Sequence, residues 1–379
     1  MRPAAVSQSV SRYSPSPNLP GVSDAHSVSG VLPVVRSRLT QDEAVAFFEA
    51  AEALRAVLQA QGPMSQVVFM LAELLYRAGD LTAARERYYA AIELDADHLE
   101  ARASLGCVLA ELGEHELAIA ALDGVLRQQP DYADAHYHLG NALREQGLPD
   151  EAIACYQKAL SLRPDHAEVR NNLGNALRDL GRLDEALVQY QEAAALRPTA
   201  AEIHNNHGNA LRDRGRWREA VTCYLTALEL APRSPEIHYN LANVFADRGD
   251  FADAEHHYRQ ALALRPAFAD ACYNLGRVLI QQNRLEEAQE SYRAALALRP
   301  DHAAAWNNLG TVFQEQGRLT EAEDCYLKAL RLDSACSDAH YNLACALLAQ
   351  NDGDTAAQWL RLLLSLHPED GRARLGLCV

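Results

Sequence analysis

The chain has 379 residues, a formal net charge of −16 and a hydrophobic content of 49%. Such an acidic balance argues against a nucleic-acid or anionic-membrane surface, which needs clustered positive charge, and no run reaches the ~18 apolar residues that span a bilayer. Lysine occurs only as Lys158 and Lys328, so arginine carries nearly all the positive charge.

Residues 1–38 are rich in Ser, Pro and Val and hold one acid, Asp24. They show neither helical nor strand periodicity, which predicts a disordered segment. The continuous apolar core of a secretory signal is missing. Arg2, Arg12, Arg36 and Arg38 are too sparse to favour an organelle transit peptide. Residues 39–64 read as a capping helix and link. Thr40 and Glu43 have capping-box spacing, which predicts a helix through about Gln59. DEAVAFFEAA, Asp42 to Ala51, repeats the pattern of DEAIACYQKA, Asp150 to Ala159, with Phe48 in place of a tyrosine. Gln61, Gly62 and Pro63 form the link.

From Ser65 to Asp370 one 34-residue unit is written nine times without insertion, starting at Ser65, Leu99, Ala133, Ala167, Ala201, Pro235, Ala269, Ala303 and Ser337. We number places within this unit. Place eight holds only Gly or Ala, and place twenty is Ala throughout, from Ala84 to Ala356. Each unit predicts two helices, over roughly places one to fourteen and seventeen to thirty-one. In Ala133–His166, Leu139, Ala142 and Leu143 make the apolar stripe of the first, and Ala152, Tyr156, Ala159 and Leu160 that of the second. Place fifteen is only Gly or Asn, the residues that accept a left-handed helix stop. Pro164 and its equivalents cannot continue the second helix. Gly140 is expected to face Ala152 where the helices cross, and the recurrent tyrosines, Tyr156 among them, to fill the gaps between neighbours.

This period with these small residues resembles the tetratricopeptide repeat. The fold expected is all-α: a right-handed superhelical α-solenoid of nine helix-turn-helix repeats over residues 65–370. The resemblance implies a concave inner face lined by the first helices. Residues 371–379 resemble the opening of a further first helix that stops incomplete. They read either as a fraying cap or as an apolar end that docks on a partner or on a second copy, the latter giving a homodimer.

The eight cysteines make no CxxC pair, and Cys155, Cys223 and Cys325 share one place, as small buried hydrophobes do. This is reduced usage, and a cytoplasmic protein is expected. His136, His204, His238 and His340 share place four; His204 and His207, at i and i+3, could share a face, and His238 sits one repeat on. Packing is favoured over a zinc site. No nucleophile elbow, phosphate-binding loop, HExxH or kinase signature occurs, so neither an enzyme nor a cofactor is expected.

The expected site lies on the inner face. Place six reads Asn172, Asn206, Asn240, Asn274, Asn308 and Asn342, preceded by His138. Asn141, Asn175, Asn209 and Asn243 add a second row at place nine. Helix propensity does not explain such recurrence. The asparagines either hold hydrogen bonds within the protein or form a ladder whose amides bind an extended peptide backbone. The ladder, with segments such as NNLGNALRDLGRLDEA at Asn171–Ala186, resembles the repeat arm of the O-linked N-acetylglucosamine transferases. The catalytic domain of that family is absent, so the resemblance implies only the mode of holding a peptide. Co-chaperone repeats that grip a terminal carboxylate use basic residues on this face. Here place two is acidic, as at Asp134 and Glu168, and place five holds no lysine, while Arg144, Arg178 and Arg212 make a local basic row at place twelve. The function expected is a scaffold that binds an extended protein segment. The alternatives are the recognition part of a glycosyltransferase system acting with a separate catalytic chain, and a self-assembling structural subunit.

Overall fold

The computed structural model describes residues 49–377, apart from residues 55, 59, 61 and 63. The disordered segment expected over residues 1–38, the capping box of Thr40 and Glu43, Phe48 and Cys378 lie outside the described residues. The described residues form paired helices and no strand. Residues 49–54 and 56–58 are helical, and Ala51 is buried in the same core as Val68 and Leu71.

The repeats supply helices α1 (Ser65–Arg77), α2 (Leu81–Leu94), α3 (Leu99–Glu111), α4 (His115–Gln128), α5 (Ala133–Glu145) and α6 (Pro149–Leu162). They continue with α7 (Ala167–Asp179), α8 (Leu183–Leu196), α9 (Ala201–Asp213), α10 (Trp217–Leu230), α11 (Pro235–Arg248) and α12 (Phe251–Leu264). Then follow α13 (Ala269–Gln281), α14 (Leu285–Leu298), α15 (Ala303–Glu315), α16 (Leu319–Leu332), α17 (Ser337–Ala349), α18 (Gly353–Leu366) and the short α19 (Gly371–Gly376). Odd helices up to α17 are the first helices of their repeats, and even helices are the second. The chain divides into two compact units, up to Pro164 and from Asp165.

Local chemistry sets these lengths. Place fifteen lies in the left-handed region in every repeat, with φ of 72° at Gly181 and 83° at Gly79. Asn283 and Asn351 replace glycine there at φ 58° and 64°, and asparagine tolerates that region better than most residues. The first helix therefore ends on schedule and the second starts two residues later. At the far end, a side chain at place four ties down the connection between repeats. His136 Nε2 lies 2.9 Å from the Pro130 carbonyl, and His204 Nε2 lies 2.9 Å from that of Pro198. Trp306 Nε1 donates to Pro300 in the same way at 2.9 Å. His166 Nδ1 accepts from the Val169 amide and so caps α7.

The helix crossing differs from the sequence expectation. A Cβ placed on Gly140 would meet Tyr156 Cε1 at 2.6 Å, and one on Gly208 would meet Tyr224 Cε1 at 2.7 Å. The glycine makes room for the place twenty-four tyrosine of its own repeat, rather than for Ala152. In the second repeat Gly106 faces Leu122 instead. These tyrosines are almost fully buried, as is every alanine at place twenty. A repeat with this tyrosine thus closes around one ring, and within each unit the remaining apolar surface packs on the neighbouring repeat. One core in the second unit runs from Ala242 to Ala373. Repeat stacking of this kind gives a core made of neighbour contacts.

Candidate functional site

The asparagine rows begin from the buried tyrosines. A phenol in a dry crossing needs an acceptor for its proton, because an unmet buried donor costs about 1–3 kcal/mol. Place nine, the residue that follows the glycine, supplies it. Tyr156 Oη donates to Asn141 Oδ1 at 2.7 Å, Tyr190 to Asn175 at 2.6 Å, Tyr224 to Asn209 at 2.7 Å and Tyr258 to Asn243 at 2.6 Å. In the first repeat Glu73 Oε1 accepts from Tyr88 at 2.7 Å. Burial raises the hydroxyl pKa of Tyr156, Tyr224 and Tyr258 above the usual tyrosine value, so each stays a proton donor.

That bond orients the amide. Its oxygen is spent on the tyrosine, so its NH₂ faces away from the second helix. The amides of Asn175, Asn209 and Asn243 are half-buried, and their Nδ2 groups meet no acceptor among the described residues.

Place six is spent the opposite way. Asn206 Nδ2 donates to Asn171 Oδ1 of the preceding repeat at 3.1 Å, and Asn240 Nδ2 donates to Asn205 Oδ1 at 2.9 Å. Asn342 Nδ2 donates to Asn307 Oδ1 at 3.0 Å. Asn308 Nδ2 donates to Tyr273 Oη at 3.2 Å. Asn274 Nδ2 reaches both Tyr239 Oη at 3.1 Å and Asn243 Oδ1 at 3.2 Å. These bonds join consecutive first helices and leave the oxygens of Asn206, Asn240, Asn274 and Asn342 without a donor among the described residues. In Asn172 and Asn308 the oxygen accepts from the neighbouring Asn171 and Asn307, at 3.2 and 3.3 Å. In Asn206, Asn240, Asn274 and Asn342 one half of the amide thus joins consecutive first helices, and the other half meets no partner among the described residues.

Places six and nine are three residues apart and share a helix face. Donors from place nine and acceptors from place six therefore stand side by side, which matches the N–H and C=O of a peptide group.

The arginine row is less bare than its sequence implies. Arg178 Nε donates to Asp213 Oδ2 at 2.6 Å, and the other oxygen of Asp213 lies 3.5 Å from Arg212. Arg144 lies 3.8 Å from Glu145. The place-two acids are also paired: Asp134 with Arg163 at 2.5 Å and Asp270 with Arg299 at 3.0 Å. These pairs are largely exposed and contribute little stability.

Sequence reasoning missed the tyrosine hydroxyls, and a signal for them exists. Where place nine is Asn or Glu, place twenty-four is Tyr; where place nine is Cys107 or Cys345, place twenty-four is Leu122 or Leu360. The seventh and eighth repeats break this pairing: with Arg277 at place nine the buried Tyr292 hydroxyl meets no acceptor among the described residues, and with Thr311 there Tyr326 donates to Gln314 Oε1 at 2.8 Å instead.

Other groups point away from chemistry. Burial pushes the thiols of Cys155, Cys223 and Cys325 up to about 11, which keeps them protonated and unreactive near neutrality. His238 Nδ1 and His257 Nδ1 lie 3.1 Å apart. Among the described residues no group of three metal-ligating side chains forms a site, and no helix is long and apolar enough to cross a membrane.

Known proteins match at the level of the repeat. Residues 200–379 match the family model described as the cilia and flagella-associated protein 70 C-terminal domain. Residues 131–199 and 47–98 match tetratricopeptide repeat models, and residues 106–147 match a TPR repeat model. No curated protein matches the chain. Among solved structures, a chain of the APC/C hetero-tetramer Cut9–Hcn1 is similar at 16% identity and a TM-score of 0.53, over 88% of this chain and 81% of that one. The C-terminal part of a TPR repeat-containing protein from Cytophaga hutchinsonii gives 17% and 0.51, over 64% and 99%. PilF from Pseudomonas aeruginosa gives 22% and 0.50, over 57% and 97%. At these identities the likeness is one of fold.

Proposed function

We propose, from the premise that the chain is a tetratricopeptide repeat protein, that it is a non-catalytic scaffold whose first-helix face binds an extended protein segment. The observation that carries this reading is the divided amide. Tyr190, Tyr224 and Tyr258 turn the NH₂ groups of Asn175, Asn209 and Asn243 outward, beside the outward oxygens of Asn206, Asn240 and Asn274. The resemblance of the rows to the repeat arm of the O-linked N-acetylglucosamine transferases supports this mode of holding, without transfer chemistry. The proposed setting is the cytoplasm. Because residues 200–379 are similar to a cilia and flagella-associated domain, cilia and flagella are the first structures in which to seek a partner.

Each outward half-amide contributes about 0.5–1.5 kcal/mol net, and ordering an extended segment opposes their sum. Affinity should be near micromolar, about −8 kcal/mol. Selectivity should be loose, because the amides meet backbone, with Arg144, Arg178 and Arg212 adding to it once freed from their acidic neighbours. The test is selection of linear peptides from a displayed library, followed by anisotropy titration of an enriched peptide. We expect binding that is lost in the Asn175→Asp, Asn209→Asp, Asn243→Asp variant, which keeps the tyrosine acceptors. Failure to enrich any linear peptide, or equal binding by the variant, would overturn the reading.

A further inference from the structure

The first-helix face carries a cleft across the fifth to seventh repeats, lined by Arg212, Asn243, Asp247, Asn274, Arg277 and Gln281 among others. Arg277 occupies the place where the four preceding repeats hold an asparagine. It is exposed and makes no ion pair or hydrogen bond among the described residues. Among the described residues Arg212 is held only by Asp213 at 3.5 Å, and that carboxylate already accepts from Arg178 at 2.6 Å. Both guanidiniums act on the same buried phenol, Tyr258, whose pKa each lowers against the larger effect of burial. Two arginines with unspent donors and one exposed acid, Asp247, thus line one cleft of a chain whose net charge is −16. The cleft is locally positive on an acidic protein.

We propose that this cleft is a selectivity subsite for a glutamate or aspartate side chain within the bound segment. The inference rests on the amide reading above. Asn243 and Asn274 hold the segment's backbone, and the side chain between them reaches Arg212 and Arg277. A guanidinium presents paired donors that fit a carboxylate, and charge-assisted bonds of this kind are about twice as strong as neutral ones. The carboxylate belongs to a side chain because outward amides flank the cleft, at Asn175 in the repeat before it and at Asn342 two repeats beyond it. A segment held by all of these passes through the cleft and does not end in it. Asp247 sets the limit of the selectivity, since it repels a second acid close by.

Blocked peptide pools, acetylated and amidated, with a central Glu, Gln or Lys flanked by mixed Ala and Ser, provide the test. Each is titrated by fluorescence anisotropy against the full chain and its Arg212→Gln, Arg277→Gln variant. We expect the Glu pool to bind about tenfold more tightly than the Gln pool, the Lys pool more weakly still, and the variant to bind the Glu and Gln pools equally. Equal binding of Glu and Gln pools would overturn the subsite and leave the amide reading standing. Binding by no pool would overturn both. A Gln pool with a free C-terminal carboxylate that outcompetes the Glu pool would show that the cleft takes a chain end, and would overturn the side-chain assignment.

Discussion

Tyr224 Oη donates to Asn209 Oδ1 across 2.7 Å, and this bond decides which half of the amide faces outward. An asparagine in solution presents both halves equally. Here a buried phenol takes the oxygen, and the donors are left facing away from the second helix. The same pairing recurs at Tyr190 with Asn175 and at Tyr258 with Asn243.

The two asparagine rows should therefore respond differently to one substitution. Asn209→Asp keeps an acceptor for Tyr224, as Glu73 already does for Tyr88, so its melting temperature should hardly move. Asn240→Asp loses the N–H that reaches Asn205 at 2.9 Å, and should cost about 0.5–1.5 kcal/mol. Differential scanning calorimetry checks the pair. Equal destabilisation by both would mean that place nine also uses its NH₂ within the protein.

Glycines at different places should differ in sign. Gly208→Ala puts a methyl 2.7 Å from the Tyr224 ring, an overpacking cost of about 1–3 kcal/mol. Hydrogen exchange should accelerate first in α9 and α10 and in the repeats beside them. Gly124 sits inside α4, and a methyl added there would have nothing within 4 Å, so Gly124→Ala should stabilise by about 0.5–1 kcal/mol.

The period, the helix pairs and the helix stops were all legible in the sequence, because each is a local property: spacing for the helices, and Gly or Asn at place fifteen for the stops. The tyrosine that fills the Gly140 space was not, since apolar spacing alone does not tell Ala152 from Tyr156. The division of the amides was also hidden. It depends on partners 15 and 35 residues away, as in Tyr224 with Asn209 and Asn206 with Asn171. Arg178 reads as a free cation in sequence, yet its neighbour in space is Asp213 of the next repeat.

Acid should weaken the sixth repeat before the carboxylates titrate. Burial, then His238 and His256, push His257 down to about 4, with Asp253 opposing, and burial also lowers His238. The unfolded chain, with histidines near ~6.5, binds these protons more readily than the folded one. The stabilising contribution is therefore complete above pH ~6.5 and is lost as the pH falls from there towards 4. Protonating both rings also sets N–H against N–H across the 3.1 Å contact. In His257→Gln, the fall in melting temperature between pH ~6.5 and ~4.5 should be smaller. An unchanged slope would remove His257 from the acid response.

The outward NH₂ groups are observable themselves. With asparagine labelled by ¹⁵N, the side-chain N–H resonances of Asn175, Asn209 and Asn243 are followed while a selected linear peptide is added to saturation. The account predicts that these resonances shift as they gain carbonyl acceptors, while the N–H signals of Asn206 and Asn240, already bonded to Asn171 and Asn205, move far less. Saturation with the peptide while the place-nine resonances stay unmoved would contradict it.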